Sequence, residues 1–226
     1  MSGHSKWNSI KHKKGAADAK RGKIFTKHAK MIAIAAQNGG DPEMNPALRS
    51  AIDNAKADNT PNSNIDRAIK KGTGADKDGI VIEELSYEGY GPGGTAILVQ
   101  CLTDNKNRTV ANVKHIFSKH GGNLAQNGAV AWMFERKGMI TVPLGERDKD
   151  ELELGAIDAG ADDTEFTDDA LLVYTADNAV GEVKDALTGN GIEVKSAQLT
   201  YIPKNETKVE NEEDAKKVLK LMNAFE

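Results

Sequence analysis

The first thirty residues, MSGHSKWNSIKHKKGAADAKRGKIFTKHAK, carry eight lysines and one arginine against a single acid, Asp18. Charge of that density cannot enter a hydrophobic core. Whatever this segment folds into must keep its lysines on one surface and find its apolar contacts on the other. The segment is net +8 in a chain of net −4, so the other 196 residues are net −12. Such segregation suits one end that meets a polyanion and another that is kept away from it.

Several classes drop out. At 226 residues, with 38% hydrophobic, 28% charged and 22 glycines, the chain fits a few small modules rather than one large core. Its longest apolar runs, such as Thr95 to Leu102, are far too short to span a bilayer, so no membrane partner is expected. The basic N-terminus has no apolar h-region after it, and it uses lysine where a mitochondrial presequence would use arginine. The single Cys101 excludes an intramolecular disulfide and a cysteine zinc cluster, and a cytoplasmic location is expected.

Residues 16–78 read as helical. Phe25, Ala29, Ile32 and Ala36 recur at helical spacing, and Gly39-Gly40 stops that helix. Asn45-Pro46 and Thr60-Pro61 each place a capping side chain before a proline, starting two shorter helices. Leu48, Ile52 and Ala55, then Ile65 and Ile69, face inward. Glycines 72, 74 and 79 among Asp76, Lys77 and Asp78 mark a linker and a boundary at 78/79.

Beyond it the pattern changes to strands. Ile80 to Tyr87 and Thr95 to Leu102 are β-rich runs around the turn EGYGPGG. A helix over roughly 108–120 follows, capped by Asn105 or Asn107, with Val110, Val113, Ile116 and Phe117 apolar. Ala129 to Phe134 and Met139 to Val142 read as strands. A second α/β unit has helices at Glu151 to Ala159 and Val180 to Leu187, with strands at Ala170 to Thr175 and Ile192 to Ile202. A weak internal repeat relates Ala96–Val99 with Val113-Lys114 to Ala170–Val173 with Val183-Lys184, which suggests two similar small sandwiches. The segment Glu210 to Glu226 is an amphipathic helix with Val218, Leu219 and Met222 inward. From Glu146 to Asp169 there are eleven acids against Arg147 and Lys149, without the EF-hand pattern, and they read as a solvated surface.

On a helical wheel Lys20, Lys23, Lys27 and Lys30 share an arc of about 80°, with Phe25, Ala29, Ile32 and Ala36 on the opposite side. Like charges so spaced cost a few tenths of a kcal/mol per pair, which a phosphate backbone would relieve. A lysine stripe alone is explained as a solvated face. Here it adjoins Arg21 and Lys6, Lys11, Lys13 and Lys14 around Trp7, and the combination points to nucleic acid. Trp7 either stacks on a base or anchors the arm to the helical domain. His4, His12 and His28 have no helical i,i+4 pair and a basic surround, so no metal is expected. EGYGPGG lacks the Walker lysine-hydroxyl pair and the GxGxxG spacing. Arg108 is a candidate for phosphate or partner contact. No nucleophile–base arrangement is suggested, so neither an enzyme nor a cofactor is expected.

The blocks GHSKWNSIKHKK, DAKRGKIFTK and YEGYGPGGTAILVQCLTDNKNRTVANVKHIFSKHGGNL closely resemble the YebC/PmpR family, probable transcriptional regulatory proteins of bacteria with mitochondrial relatives described as translational activators. The resemblance spans nearly the whole chain. It implies an α+β protein of three domains, a helical N-terminal one and two small α/β sandwiches with the third inserted in the second. The expected division is 1–78 as the basic nucleic-acid-binding domain, 79–142 with 208–226 as the middle domain, and 143–207 as the acidic one. Family members usually continue past a helix like Lys216 to Phe225 into a final strand. Because this chain ends at Glu226, one edge of the middle sheet is expected to be unpaired. The family implies nucleic-acid binding in gene expression. The first reading is a DNA-binding transcriptional regulator whose acidic domains serve regulation or self-association. The second is a ribosome- or RNA-associated translation factor, and the third a protein-interaction scaffold that docks its acidic domain on a basic partner.

Overall fold

The structure, a computed structural model, describes residues 21–75, 81–205 and 209–225. The chain forms two compact units, Met1–Ile82 and Glu83–Glu226. The first is helical: α1 over residues 21–35 with a 3₁₀ turn at Ala36–Asn38, α2 (Pro46–Ala57) and α3 (Asn62–Gly72). Ile32, Leu48 and Ala55 are fully buried at its centre, with Ile65 and Ala68 closing the core from α3.

One asparagine joins α1 to α2. Asn45 Oδ1 accepts the Leu48 N–H at 3.1 Å, capping α2, while Nδ2 donates to the carbonyls of Ala35 and Gly39, both at 2.8 Å. The same side chain therefore ends one helix and starts the next. Helix α2 closes with Asn59 at φ 56, where the N–H of Asn59 reaches Lys56 O and that of Thr60 reaches Ala55 O. Thr60 was expected to cap α3. Instead α3 begins at Asn62 after Pro61, and the Thr60 hydroxyl is buried without capping it. Where α1 and α3 meet, a Cβ on Gly72 would lie 2.2 Å from the Ala33 carbonyl, so the two backbones touch.

The second unit holds two antiparallel sheets. The first has the order β2-β1-β3, with β1 (Glu83–Tyr90), β2 (Ala96–Thr103) and the two-residue β3 (Asn123–Leu124). EGYGPGG makes the β1–β2 hairpin, pairing Tyr90 with Ala96, as the sequence suggests. Helix α4 (Lys106–Lys119) is capped by Asn105, whose Oδ1 accepts the Arg108 N–H. It lays Phe117 on the sheet at zero exposure. A Cβ on Gly89 would sit 2.5 Å from the Phe117 ring, so only glycine allows that approach. Helix α7 (Glu212–Phe225) packs beside α4: Leu221 is fully buried with Phe117, and the Phe225 ring meets Phe117 edge-on at 4.9 Å. Its inward face is thus Val218, Leu221 and Phe225. Leu219 and Met222, expected inward, are 61% and 55% exposed. The error is one of helical phase, since both are neighbours of Leu221 and Val218 on a short apolar run.

The second sheet has the order β5-β6-β4-β7, from β4 (Phe134–Pro143), β5 (Asp163–Phe166), β6 (Ala170–Ala176) and β7 (Ser196–Pro203). With α5 (Lys149–Asp158) and α6 (Val180–Gly189) the chain order is βαββαβ, the split βαβ arrangement. Ile140, Val142, Leu171 and Val173 face Leu152 of α5 and Leu187 of α6. Three expectations are corrected. Residues 129–133 are loop and a 3₁₀ turn (Ala131–Met133), not strand. Strand β4, read as part of the middle domain, pairs along its length with β6 and β7 of the second sheet. Strand β5 lies in the acidic run that had no strand signal, and Asp148 there caps α5 through the amides of Asp150 and Glu151.

The link between the sheets is built on Glu88. Its carboxylate is 5% exposed and accepts the N–H groups of Gly128, Val130 and Ala131 at 2.6, 2.7 and 2.7 Å. Burial alone would raise the Glu88 pKa, but these amides outweigh it and hold the carboxyl below its ordinary value. A depressed folded-state value means the contribution is complete above about 4.5 and is lost as pH falls further. Glu88→Gln is expected to destabilise this unit by about 2–4 kcal/mol at neutral pH. Urea unfolding should show that difference shrinking as pH falls below about 4.5, and a pH-independent difference would contradict the account.

Candidate nucleic-acid interface

Helix α1 separates its two chemistries as the wheel requires. Ile32, Ala33 and Ala36 are buried in the helical core, while Arg21, Lys23 and Lys27 are exposed and Lys30 is half-buried. Lys23 and Lys27 stand one turn apart, about 6 Å along the axis, a comfortable spacing for two ammoniums on successive phosphates. Lys6, Trp7, Lys11, Lys13, Lys14 and Lys20 lie outside the described residues. The structure therefore brings together Arg21, Lys23, Lys27 and Lys30 on one helix.

The roll of α1 is set by a residue the sequence reading discounted. His28 is 7% exposed on the side away from the lysines, and its Nε2 lies 2.7 Å from Oδ2 of Asp58. A carboxylate only accepts, so the proton sits on Nε2. Asp58 occupies the C-cap of α2, just before the left-handed Asn59. A turn at 58–60 thus grips the middle of α1 and directs the opposite arc of that helix to solvent. A buried histidine within helical reach of lysines was the available signal, but its partner is 30 residues away.

Other charged residues are accounted for locally. Arg49 donates from Nε and Nη2 to the carbonyls of Pro42 and Glu43, closing the loop before α2. Arg108 is exposed, yet its guanidinium is held 2.5 Å from Asp104 Oδ1 at the start of α4. The open face of the second sheet carries Asp163 and Glu165 beside Tyr174. Burial, then the hydrogen bond to Glu165 at 2.9 Å, pushes the Tyr174 phenol up to about 12. Carboxylates on that face would repel phosphate. Among the described residues no three His, Cys, Asp or Glu side chains are grouped to hold a metal, and no helix is long and apolar enough to cross a membrane.

Fold and site define a class: an α+β protein with a small, basic helical unit at its N-terminus and an acidic unit built on two antiparallel sheets. The chain belongs to the TACO1/YebC family. Residues 5–75 match the model of the TACO1/YebC N-terminal domain, and residues 82–226 that of the second and third domains. It is 51% identical over 229 residues to a "Probable transcriptional regulatory protein" of Halothermothrix orenii, spanning 100% of this chain and 90% of that one. It is 53% identical over 227 residues to a protein of the same description from Desulforapulum autotrophicum, spanning 100% and 91%. The crystal structure of a conserved hypothetical protein from Aquifex aeolicus superposes with a TM-score of 0.88 at 46% identity, covering 92% of this chain and 86% of that one.

His28→Ala leaves Asp58 without its partner and a void beside Ile32, and is expected to lower the stability of the helical unit by about 1–3 kcal/mol. Thermal melts followed by circular dichroism would register this, and an unchanged midpoint would remove His28 from the positioning role.

Proposed function

We propose that this protein is a DNA-binding regulator of transcription, working in the cytoplasm, that grips the phosphate backbone with its lysine-rich N-terminal arm and the outer arc of α1. It acts by binding and not by catalysis. The observation that carries the reading is the exposed pair Lys23 and Lys27, one turn apart on a helix whose other side is committed to the core. It lies in a segment of net +8 on a chain that is otherwise net −12. The net charge of the acidic remainder disfavours a polyanion, so charge steers the approach toward the basic end. The relatives described as probable transcriptional regulatory proteins support the same role. In this reading the modules are the basic helical residues 1–78, a middle domain with α7 returned to its sheet, and an acidic third domain that includes β4.

The test is fluorescence anisotropy on duplex DNA at several salt concentrations. If about six lysines meet phosphates, affinity should fall with a log–log salt slope near −5. Changing Lys20, Lys23 and Lys27 together to Glu is expected to weaken binding by at least about 100-fold and to halve that slope. A flat salt response would rule out phosphate gripping. Preferential capture of ribosomal RNA over promoter DNA in cells would replace the DNA reading with the translational one.

A further inference from the structure

The second unit carries fifteen basic and twenty-six acidic residues, net −11, yet one of its surfaces runs against that sign. Helix α4, KNRTVANVKHIFSK, contains four cationic residues and no acid. Its buried side is Val113 and Phe117, so Arg108, His115 and Lys119 share the opposite arc over about 16 Å of axis. The two cations at its N-terminal end are neutralised, Lys106 by Glu83 at 2.7 Å and Arg108 by Asp104. Among the described residues no carboxylate lies within ion-pair distance of Lys114 or Lys119.

At that end the surface opens into a cleft of about 630 Å³ between α4 and α7. Lys119 and His120 form one wall, and Lys217 and Lys220 of α7 the other. The floor is backbone from two glycine turns, with Gly93 at φ 70 and Gly121 at φ 78. Both need glycine for their conformation, and the missing side chains leave the floor bare. A Cβ on Gly121 would meet nothing closer than Pro92 at 3.7 Å. Asp214 also lines the cleft, 3.8 Å from Lys217, and offsets one charge of the three lysines. Lys119 alone could be explained as a cation complementing the end of α4. Lys217 and Lys220 cannot, because they stand in mid-helix on a different element, and with Lys119 they leave the cleft with more positive charge than Asp214 offsets.

We propose that this cleft is a second phosphate-binding point, where Lys119, Lys217 and Lys220 hold a backbone phosphate of the nucleic acid already gripped by the N-terminal lysines. The inference depends on the proposed function and extends it. Lysines on rigid helices act as point charges toward a phosphodiester, and the bare glycine floor lets the strand approach closely. A second contact on the larger unit holds it against the polyanion despite its net charge.

The experiment uses the full chain and the same duplex, with Lys119→Gln, Lys217→Gln and Lys220→Gln combined. These exposed, neutral changes are expected to leave the melting temperature in place, to weaken binding at least about 10-fold at 0.1 M salt, and to make the salt slope shallower by roughly 2–3. Crosslinking of the wild-type complex followed by mass spectrometry should recover nucleotide-bearing peptides from residues 114–122 and 216–221. An unchanged slope together with no such peptides overturns the second site, while the arm reading survives if the Lys20, Lys23, Lys27 variant still loses binding. A wild-type chain that binds no nucleic acid overturns both.

Discussion

A buried carboxylate organises the larger unit. Glu88 lies on the face of the first sheet away from α4, and its two oxygens gather three backbone amides from the stretch leading to β4. An ionised group there would be costly without those donors, and the donors would be orphaned without it. Tyr90 adds a bond from its hydroxyl to the Ala129 carbonyl. The path of the chain between the sheets is therefore specified by polar satisfaction. Beyond it β4 enters the second sheet as a central strand, and that sheet's core depends on where β4 begins.

The helical unit follows the same logic on a smaller scale. Asn45 serves three backbone groups at once, and the His28–Asp58 pair ties α1 to the turn after α2. With Ile32 and Ala36 buried and His28 gripped, α1 has one rotational setting. That setting leaves Lys23 and Lys27 in water, where their charge is available to a partner and costs little in its absence.

Charge divides the labour between the units. In the proposed reading the basic unit supplies attraction, and the net charge of the acidic unit disfavours a polyanion. Much of the acidity has structural work of its own: Asp148 caps α5, and Asp150 and Glu151 sit favourably in its first turn. The exception is the lysine cleft at the end of α4, where cations from two helices that are far apart in sequence come together.

The elements themselves were legible because their signals are local. Helix and strand period, the Asn45 and Asn105 caps, the EGYGPGG hairpin and the split between lysine and apolar arcs of α1 each involve residues within a turn or two of one another. Sequence alone determined that α1 has a cationic side and that the chain changes from helical to β-containing near residue 80. The tertiary structure decided the rest. It placed β4 with β6 and β7, turned Leu221 and not Leu219 of α7 onto Phe117, and paired His28 with Asp58. It also set Lys217 and Lys220 across from Lys119. Each of these joins groups separated by about thirty residues or more, where no periodicity in the chain records the partner and only packing and hydrogen-bond satisfaction select it.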